Sequence, residues 1–140
     1  MRVWIYTRLS NDDDPERDSL QNQERICREF AAQRGGQMVG QSSDNNISGM
    51  NFSRRGLSQL TAAVENGRLD GVVVKDISRL GRHRTQTALF IDYLRERGVR
   101  VLSATEGLDS FREKDDLIIR VRGLMNDYYA RDIGKKIRTG

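Results

Sequence analysis

A single cysteine stands in this 140-residue chain, so no internal disulfide can form. Cys27 falls among apolar residues at helical spacing and reads as a small core residue, not a reactive thiol. A chain without a disulfide framework fits a reducing cytoplasm. No apolar run approaches the roughly 20 residues of a membrane helix, and no signal peptide is visible. Met1 to Tyr6 reads as buried strand instead. The only histidine, His83, is surrounded by arginines and has no serine–acid pair to join. No Cys/His cluster offers a zinc site. Neither a Walker pattern nor GxGxxG is present. One proline, Pro15, marks an acidic loop from Asn11 to Asp18.

What is present is a core and an uneven charge distribution. The chain is 36% hydrophobic and 31% charged, enough for one ordinary domain. Lysine and arginine total 24 against 20 aspartates and glutamates, a net +4 that by itself is weak evidence for nucleic acid. Position says more. Acid gathers at Asp12, Asp13, Asp14 and Glu16, and arginine at Arg54-Arg55 and at Arg79, Arg82 and Arg84. Arginine suits two-pronged contact with phosphate.

Val3 to Thr7 predicts a buried strand. Asp18 is placed to cap a helix from Ser19 to about Arg34, with Gln21 at the capping-box position and Gly35-Gly36 ending it. A weak strand is expected at Met38 to Gln41. Ser42 to Gly56 is polar and glycine-bearing and reads as a long loop. Leu57, Leu60, Thr61 and Val64 recur at helical spacing, and Asn66-Gly67 stops that helix. Gly71 to Lys75 is a clear buried strand, Asp76 to Arg84 a basic loop. A third helix spans about Thr85 to Arg97, a strand Val99 to Ser103, and a last helix about Asp115 to Arg138, with Leu117, Val121, Leu124, Met125 and Tyr128 on one stripe. This β-α-β-α-β-α-β order with a final helix predicts a three-layer α/β domain: a mostly parallel central sheet and a long C-terminal helix. That helix is long for so small a domain, and its apolar stripe reads as a subunit interface. The chain reads as one normally followed by more protein, a natural terminal helix being the alternative.

In open parallel sheets ligands sit beyond the carboxyl ends of the strands. There the sequence places Tyr6-Thr7-Arg8-Leu9-Ser10, the segment with Asp44, Ser48, Gly49, Arg54 and Arg55, and Lys75-Asp76-Ile77-Ser78-Arg79-Leu80-Gly81-Arg82. One serine among many arginines points to attack of a hydroxyl on phosphorus. Such transfer needs positioning and charge stabilisation, which guanidinium groups supply. A serine ester would conserve the bond for rejoining. Taken alone each residue has a plainer reading. Ser10 could be a loop serine, Arg54 a solvated side chain, Arg79 and Arg82 a basic surface. Gln23 could lie on an open helix face, Asp44 could only cap a turn, and Tyr6 is core packing with a supporting role.

Four blocks in order resemble the resolvase/invertase family of serine recombinases. They are Tyr6-x-Arg8-Leu9-Ser10; Ser19-Leu20-x-x-Gln23; Asp44-x-x-x-Ser48-Gly49 with Phe52-Ser53-Arg54-Arg55-Gly56-Leu57; and Arg79-Leu80-Gly81-Arg82. The resemblance covers Arg2 to about Arg138. It implies that Ser10 is the nucleophile, that Arg8, Arg54, Arg79 and Arg82 hold the phosphate, and that Gln23, Tyr6, Asp44 and Ser48 support them. It implies cleavage of double-stranded DNA through a 5′-phosphoserine linkage, without metal or other cofactor. Residues 1–140 would be the catalytic domain, 115–138 its dimerisation helix, and the DNA-reading part would lie downstream. The partners implied are DNA and further copies of the chain, a dimer on DNA and a tetramer in synapsis, in a bacterial or phage setting on the nucleoid, with no membrane.

Departures from the family pattern also bear on the reading. An acidic insertion around Asp12 to Arg17 separates the first two blocks. Arg55 stands where the family usually has proline. Ser78 stands where it often has aspartate, as in the large integrase- or transposon-type branch, and Asp76 could orient the arginines instead. For the family's glutamate on the long helix, Asp127 and Asp132 are both candidates. Two other readings remain at this point: a degenerate module used only for assembly, which the intact Ser10 and arginines oppose, and a small-molecule phosphate-binding, receiver-like domain, which would need an acidic phosphoacceptor and metal pocket.

Overall fold

In a computed structural model the described residues are 1–46, 54–81 and 84–121. Five strands form one sheet in the order β2-β1-β3-β4-β5. They are β1 (Arg2–Ser10), β2 (Gln37–Asn46), β3 (Gly71–Val74), β4 (Arg100–Ser103) and β5 (Leu108–Asp109). β1 pairs parallel with β2 and β3, and β3 parallel with β4. β5 returns antiparallel on β4, at Leu102–Asp109 and Ser103–Leu108. The helices are α1 (Leu20–Gln33), α2 (Arg55–Glu65) and α3 (Arg84–Glu96), with a 3₁₀ turn at Ile77–Leu80 after β3. A fourth helix, α4, occupies 113–121 within the described residues. The expected α/β architecture with a mostly parallel sheet is present; the remainder of the expected long terminal helix, 122–138, lies outside the described residues.

The layers follow from strand alternation. Val3, Ile5, Val73 and Leu102 face α1 and pack on Cys27 and Ala31. Tyr6, Val72, Val74 and Val101 face the other way and pack on Leu60 and Val64 of α2 and Ile91 and Leu94 of α3. Full burial of each large aliphatic among these contributes about 1.5–3 kcal/mol. Cys27 is buried, and burial pushes its thiol up to about 12, so it is the core residue expected. In α4 Ile119 joins the core while Leu117 is 63% exposed and Val121 45%.

Three local expectations need correction. The cap of α1 is Ser19, whose Oγ accepts from the Asn22 N–H at 3.1 Å; Asp18 is buried one residue earlier. Strand β2 does not stop at Gln41 but runs to Asn46, so the first third of the expected loop is sheet. The polar segment after β4 contains β5.

One glycine is required by close approach. A Cβ at Gly56 would lie 2.5 Å from the Ser43 carbonyl oxygen, so only glycine lets the first turn of α2 lie against β2. That contact sets where α2 begins relative to the end of β1.

Candidate active site

Strands β1, β2 and β3 all end at one edge, at Ser10, Asn46 and Val74. β1 carries Tyr6 and Arg8 on the face of α2 and α3 by alternation and ends at Ser10. The Gln23 amide fixes the backbone between them. Its Oε1 accepts from the Arg8 N–H at 3.2 Å, and its Nε2 donates to the Arg8 and Asp18 carbonyls at 2.8 and 2.7 Å. Gln23 is wholly buried, not lying on an open helix face. Its role is to hold β1 to the start of α1.

Asp44, on β2, gathers three donors among the described residues. Gly56 N–H donates to Oδ1 at 2.8 Å, Leu57 N–H to Oδ2 at 3.1 Å, and the Tyr6 hydroxyl to Oδ2 at 2.7 Å. The first two are orphan amides of the α2 N-terminus. Arg54 occupies the cap position but makes no side-chain cap bond. Asp44 therefore caps a helix from a neighbouring strand, and Arg54 sits exposed at that helix's positive end. Burial, the bond to Asp44 and that carboxylate's charge all push the Tyr6 phenol well up, so it stays a neutral donor.

Arg8, Arg54 and Arg79 line one cleft of about 510 Å³ between the ends of β1 and β2 and helix α3. Its far wall is Gln86, Leu89, Phe90 and Tyr93. Arg8 also donates through Nη2 to the Ser78 carbonyl.

Ser10 does not line this cleft. Its N–H and its Oγ–H both donate to Asp13 Oδ2, at 2.8 and 3.1 Å. Arg79 Nη1 donates to that same oxygen at 2.7 Å and to the Arg8 carbonyl at 2.9 Å. Arg79 is 4% exposed, and its Nη2 lies 3.5 Å from Asp18 and 3.3 Å from Asp76. Asp18 also takes the Lys75 ammonium and, at 3.3 Å, Arg17. Burial acts to raise the Asp18 carboxyl, but the bonds from Lys75 and Arg17 outweigh it and hold the group at about 2. Asp76 pairs with Arg79 as expected of a substitute for the missing aspartate, and it also takes the Ser78 N–H at 3.1 Å.

The structure thus brings Ser10, Arg8, Arg79, Tyr6, Gln23, Asp44 and Arg54 to one edge. Arg82, Ser48, Asp127 and Asp132 lie outside the described residues. Sequence did not place Asp13 and Asp18 in the site: Asp13 reads as part of an acidic loop and Asp18 as a helix cap, and their partners Arg79 and Lys75 are 66 and 57 positions away. Carboxylates therefore share the strand ends with the arginines. Among the described residues no group of three or more His, Cys, Asp or Glu side chains could hold a metal ion. No helix among them is long and apolar enough to cross a membrane.

Comparison with known proteins gives the same architecture. The family model described as "Resolvase, N terminal domain" matches residues 3–140. The crystal structure of the N-terminal catalytic domain of TP901-1 integrase superposes with a TM-score of 0.73 at 23% identity, covering 94% of this chain and 98% of that one. A resolvase family site-specific recombinase from Streptococcus pneumoniae gives 0.75 at 24% identity, over 100% and 95%. The C-terminal catalytic domain of ISC1926 TnpA, an IS607-like serine recombinase, gives 0.62 at 22% identity, over 90% and 99%. At these identities the three structures establish the shared fold.

Proposed function

This chain belongs to the resolvase N-terminal domain family, the catalytic domain of serine site-specific recombinases, and from that premise we propose that it cleaves and rejoins DNA through a covalent 5′-phosphoserine intermediate at Ser10. The observation that carries the reading is the meeting of the Ser10 hydroxyl and the Arg79 guanidinium on one oxygen at the end of β1, beside a cleft lined by Arg8 and Arg54. In the proposed reaction Ser10 Oγ attacks a backbone phosphorus and the 3′ oxygen leaves. Arg8 and Arg54 hold the non-bridging oxygens from the cleft, where the α2 N-terminus adds its positive end. Arg79, which lines the same cleft, joins them, and Arg82 is assigned to the same phosphate by its place in the family motif. Tyr6, Asp44 and Gln23 position these groups, and Ser48 belongs with them on sequence alone.

The substrate is double-stranded DNA, and the working unit is an assembly of several copies, a dimer on DNA and a tetramer in synapsis. The exposed Leu117 and Val121 on α4 support an interface there, since an apolar stripe on a helix needs a partner.

The test is covalent capture. The protein is incubated in EDTA with duplex DNA carrying its recombination site, and protein bound to 5′ ends is resolved on a denaturing gel. Wild type gives an adduct and Ser10→Ala gives none. An undiminished adduct from Ser10→Ala removes Ser10 as the nucleophile.

A further inference from the structure

A serine hydroxyl is a weak nucleophile until a base takes its proton. Tyr6 cannot be that base, since its hydroxyl already donates to Asp44. Among the described residues the side chain that meets Ser10 Oγ is Asp13, at 3.1 Å, within the reach of about 2.6–3.2 Å that a nucleophile and its base require. The oxygen is held there from two other directions, by the Ser10 N–H at 2.8 Å and by Arg79 Nη1 at 2.7 Å. Arg79 is in turn fixed by the Arg8 carbonyl and by Asp18 and Asp76. Nucleophile, base and orienting group thus form one chain, Ser10–Asp13–Arg79, the arrangement by which an activated hydroxyl is recognised.

We propose that Asp13 is the catalytic proton acceptor for Ser10. This rests on the reading of Ser10 as the nucleophile. In cleavage the Ser10 Oγ–H proton passes to Asp13 Oδ2 as the Oγ–P bond forms. The P–O3′ bond breaks, and the 3′ oxygen takes a proton from solvent water. In rejoining, the 3′ hydroxyl gives its proton to solvent and attacks phosphorus. The Ser10 Oγ–P bond breaks, and Oγ recovers its proton from the Asp13 carboxylic acid. The orientation by Arg79 explains why a buried guanidinium serves the site without lining its open side alone.

The experiment has two arms. In the first, wild type, Ser10→Ala, Asp13→Asn and Asp13→Glu are compared for adduct formation on site-bearing DNA and for DNA affinity. Asp13→Asn keeps its affinity and loses cleavage by about 10²–10⁴-fold, the usual loss of a general base. Asp13→Glu, which keeps the charge toward Arg79 but displaces the oxygen, falls between them. Cleavage by Asp13→Asn within threefold of wild type overturns the proposal while leaving Ser10 in place. Faster cleavage overturns it too and marks Asp13 as a carboxylate that DNA must displace. No Ser10-dependent adduct from DNA-bound wild type removes the nucleophile, and this proposal with it.

The second arm needs no DNA. Ser10→Cys places a thiol at the same point, and its alkylation by iodoacetamide reports the neighbouring charge. A carboxylate beside a thiol disfavours the thiolate. Adding Asp13→Asn therefore speeds alkylation at neutral pH, by about tenfold for each unit its thiol falls, less the partial loss of nucleophilicity. Adding Asp13→Glu does not. Equal rates in all three place the carboxylate away from Oγ and overturn the proposal.

Discussion

Gly56→Ala sets two effects of opposite sign against each other. Gly56 is the second residue of α2, and alanine is favoured over glycine in a helix by up to about 1 kcal/mol. Propensity alone thus predicts a more stable protein. The added Cβ, however, would sit 2.5 Å from the Ser43 carbonyl oxygen, 2.7 Å from its carbon and 2.9 Å from its nitrogen. These are backbone atoms of a strand paired to β1 and cannot rotate away. Relieving such overpacking costs about 1–3 kcal/mol. Moving α2 outward also stretches the Gly56 and Leu57 N–H bonds to Asp44, each a bond to a charged group worth about 1.5–3 kcal/mol. Partial loss of the two outweighs the propensity gain, so we expect net destabilisation of about 2–4 kcal/mol. For a domain of this size each kcal/mol lowers Tm by about 3–5 °C. Urea unfolding followed by circular dichroism measures the change. The variant should also bind DNA more weakly, because Arg54 moves with the helix end. A Gly56→Ala protein as stable as wild type, or more so, would refute the reasoning that links α2 to β2 at this point.

Two other substitutions test the site's supports. Tyr6→Phe removes the donor to Asp44 while keeping the packed ring, and should cost about 1.5–3 kcal/mol in the same unfolding assay, with no cavity. Lys75→Met takes the ammonium from buried Asp18 but leaves Arg17 and Arg79 near it, so the loss falls at the lower end of the range for a broken buried pair, about 3 kcal/mol. The pH dependence has a definite sign. Asp18 titrates at about 2 when folded and near 3.8 when not, so its roughly 2 kcal/mol is present above about pH 4 and lost as pH falls through about 2. Acid unfolding should begin at higher pH in Lys75→Met than in wild type, and coincident acid transitions would remove Lys75 as the partner that holds Asp18 ionised.

Much of the fold was legible because period and punctuation agreed. Val72, Val73 and Val74 form a continuous apolar run and became a strand buried on both faces. Leu60 and Val64 lie on the buried side of α2, and Gly67 and Gly98 take positive φ just beyond α2 and α3. The second half of β2 was not legible because it is an edge strand whose buried residues are polar. Ser42 accepts from the Trp4 indole and donates to the Gly56 carbonyl, and Asp44 binds a helix end. Hydrogen bonding replaces the apolar alternation that would announce a strand, so Ser42 to Asn46 read as loop. β5 is two residues long, too short for any period. Within the candidate site, the meeting of Arg8, Ser10, Arg54 and Arg79 at one edge was legible from the strand ends. Asp13 and Asp18 were not, because nothing local distinguishes a solvated carboxylate from one neutralised by a distant cation.

That distinction also separates the arginines from one another. Arg54 is exposed at a helix end, whereas Arg79 is buried against Asp13, Asp18 and Asp76. A planar guanidinium can reach these carboxylates and the Arg8 carbonyl at once; a lysine ammonium at that position cannot match the fork. Much of the charge on Arg79 is therefore already neutralised within the protein, and its removal would take the guanidinium from the half-buried Asp13 and Asp76, while Asp18 keeps Lys75 and Arg17. Loss of cleavage on replacing Arg79 is by itself ambiguous, since the protein would lose stability and the orientation of Asp13 together. Loss on replacing Arg54 carries a different meaning, because the cap of α2 is Asp44 and survives the change. Arg54 is thus where mutational loss tests the proposed phosphate contact, and Arg79 is where loss also reports on the ion pairs that hold Asp13 beside Ser10.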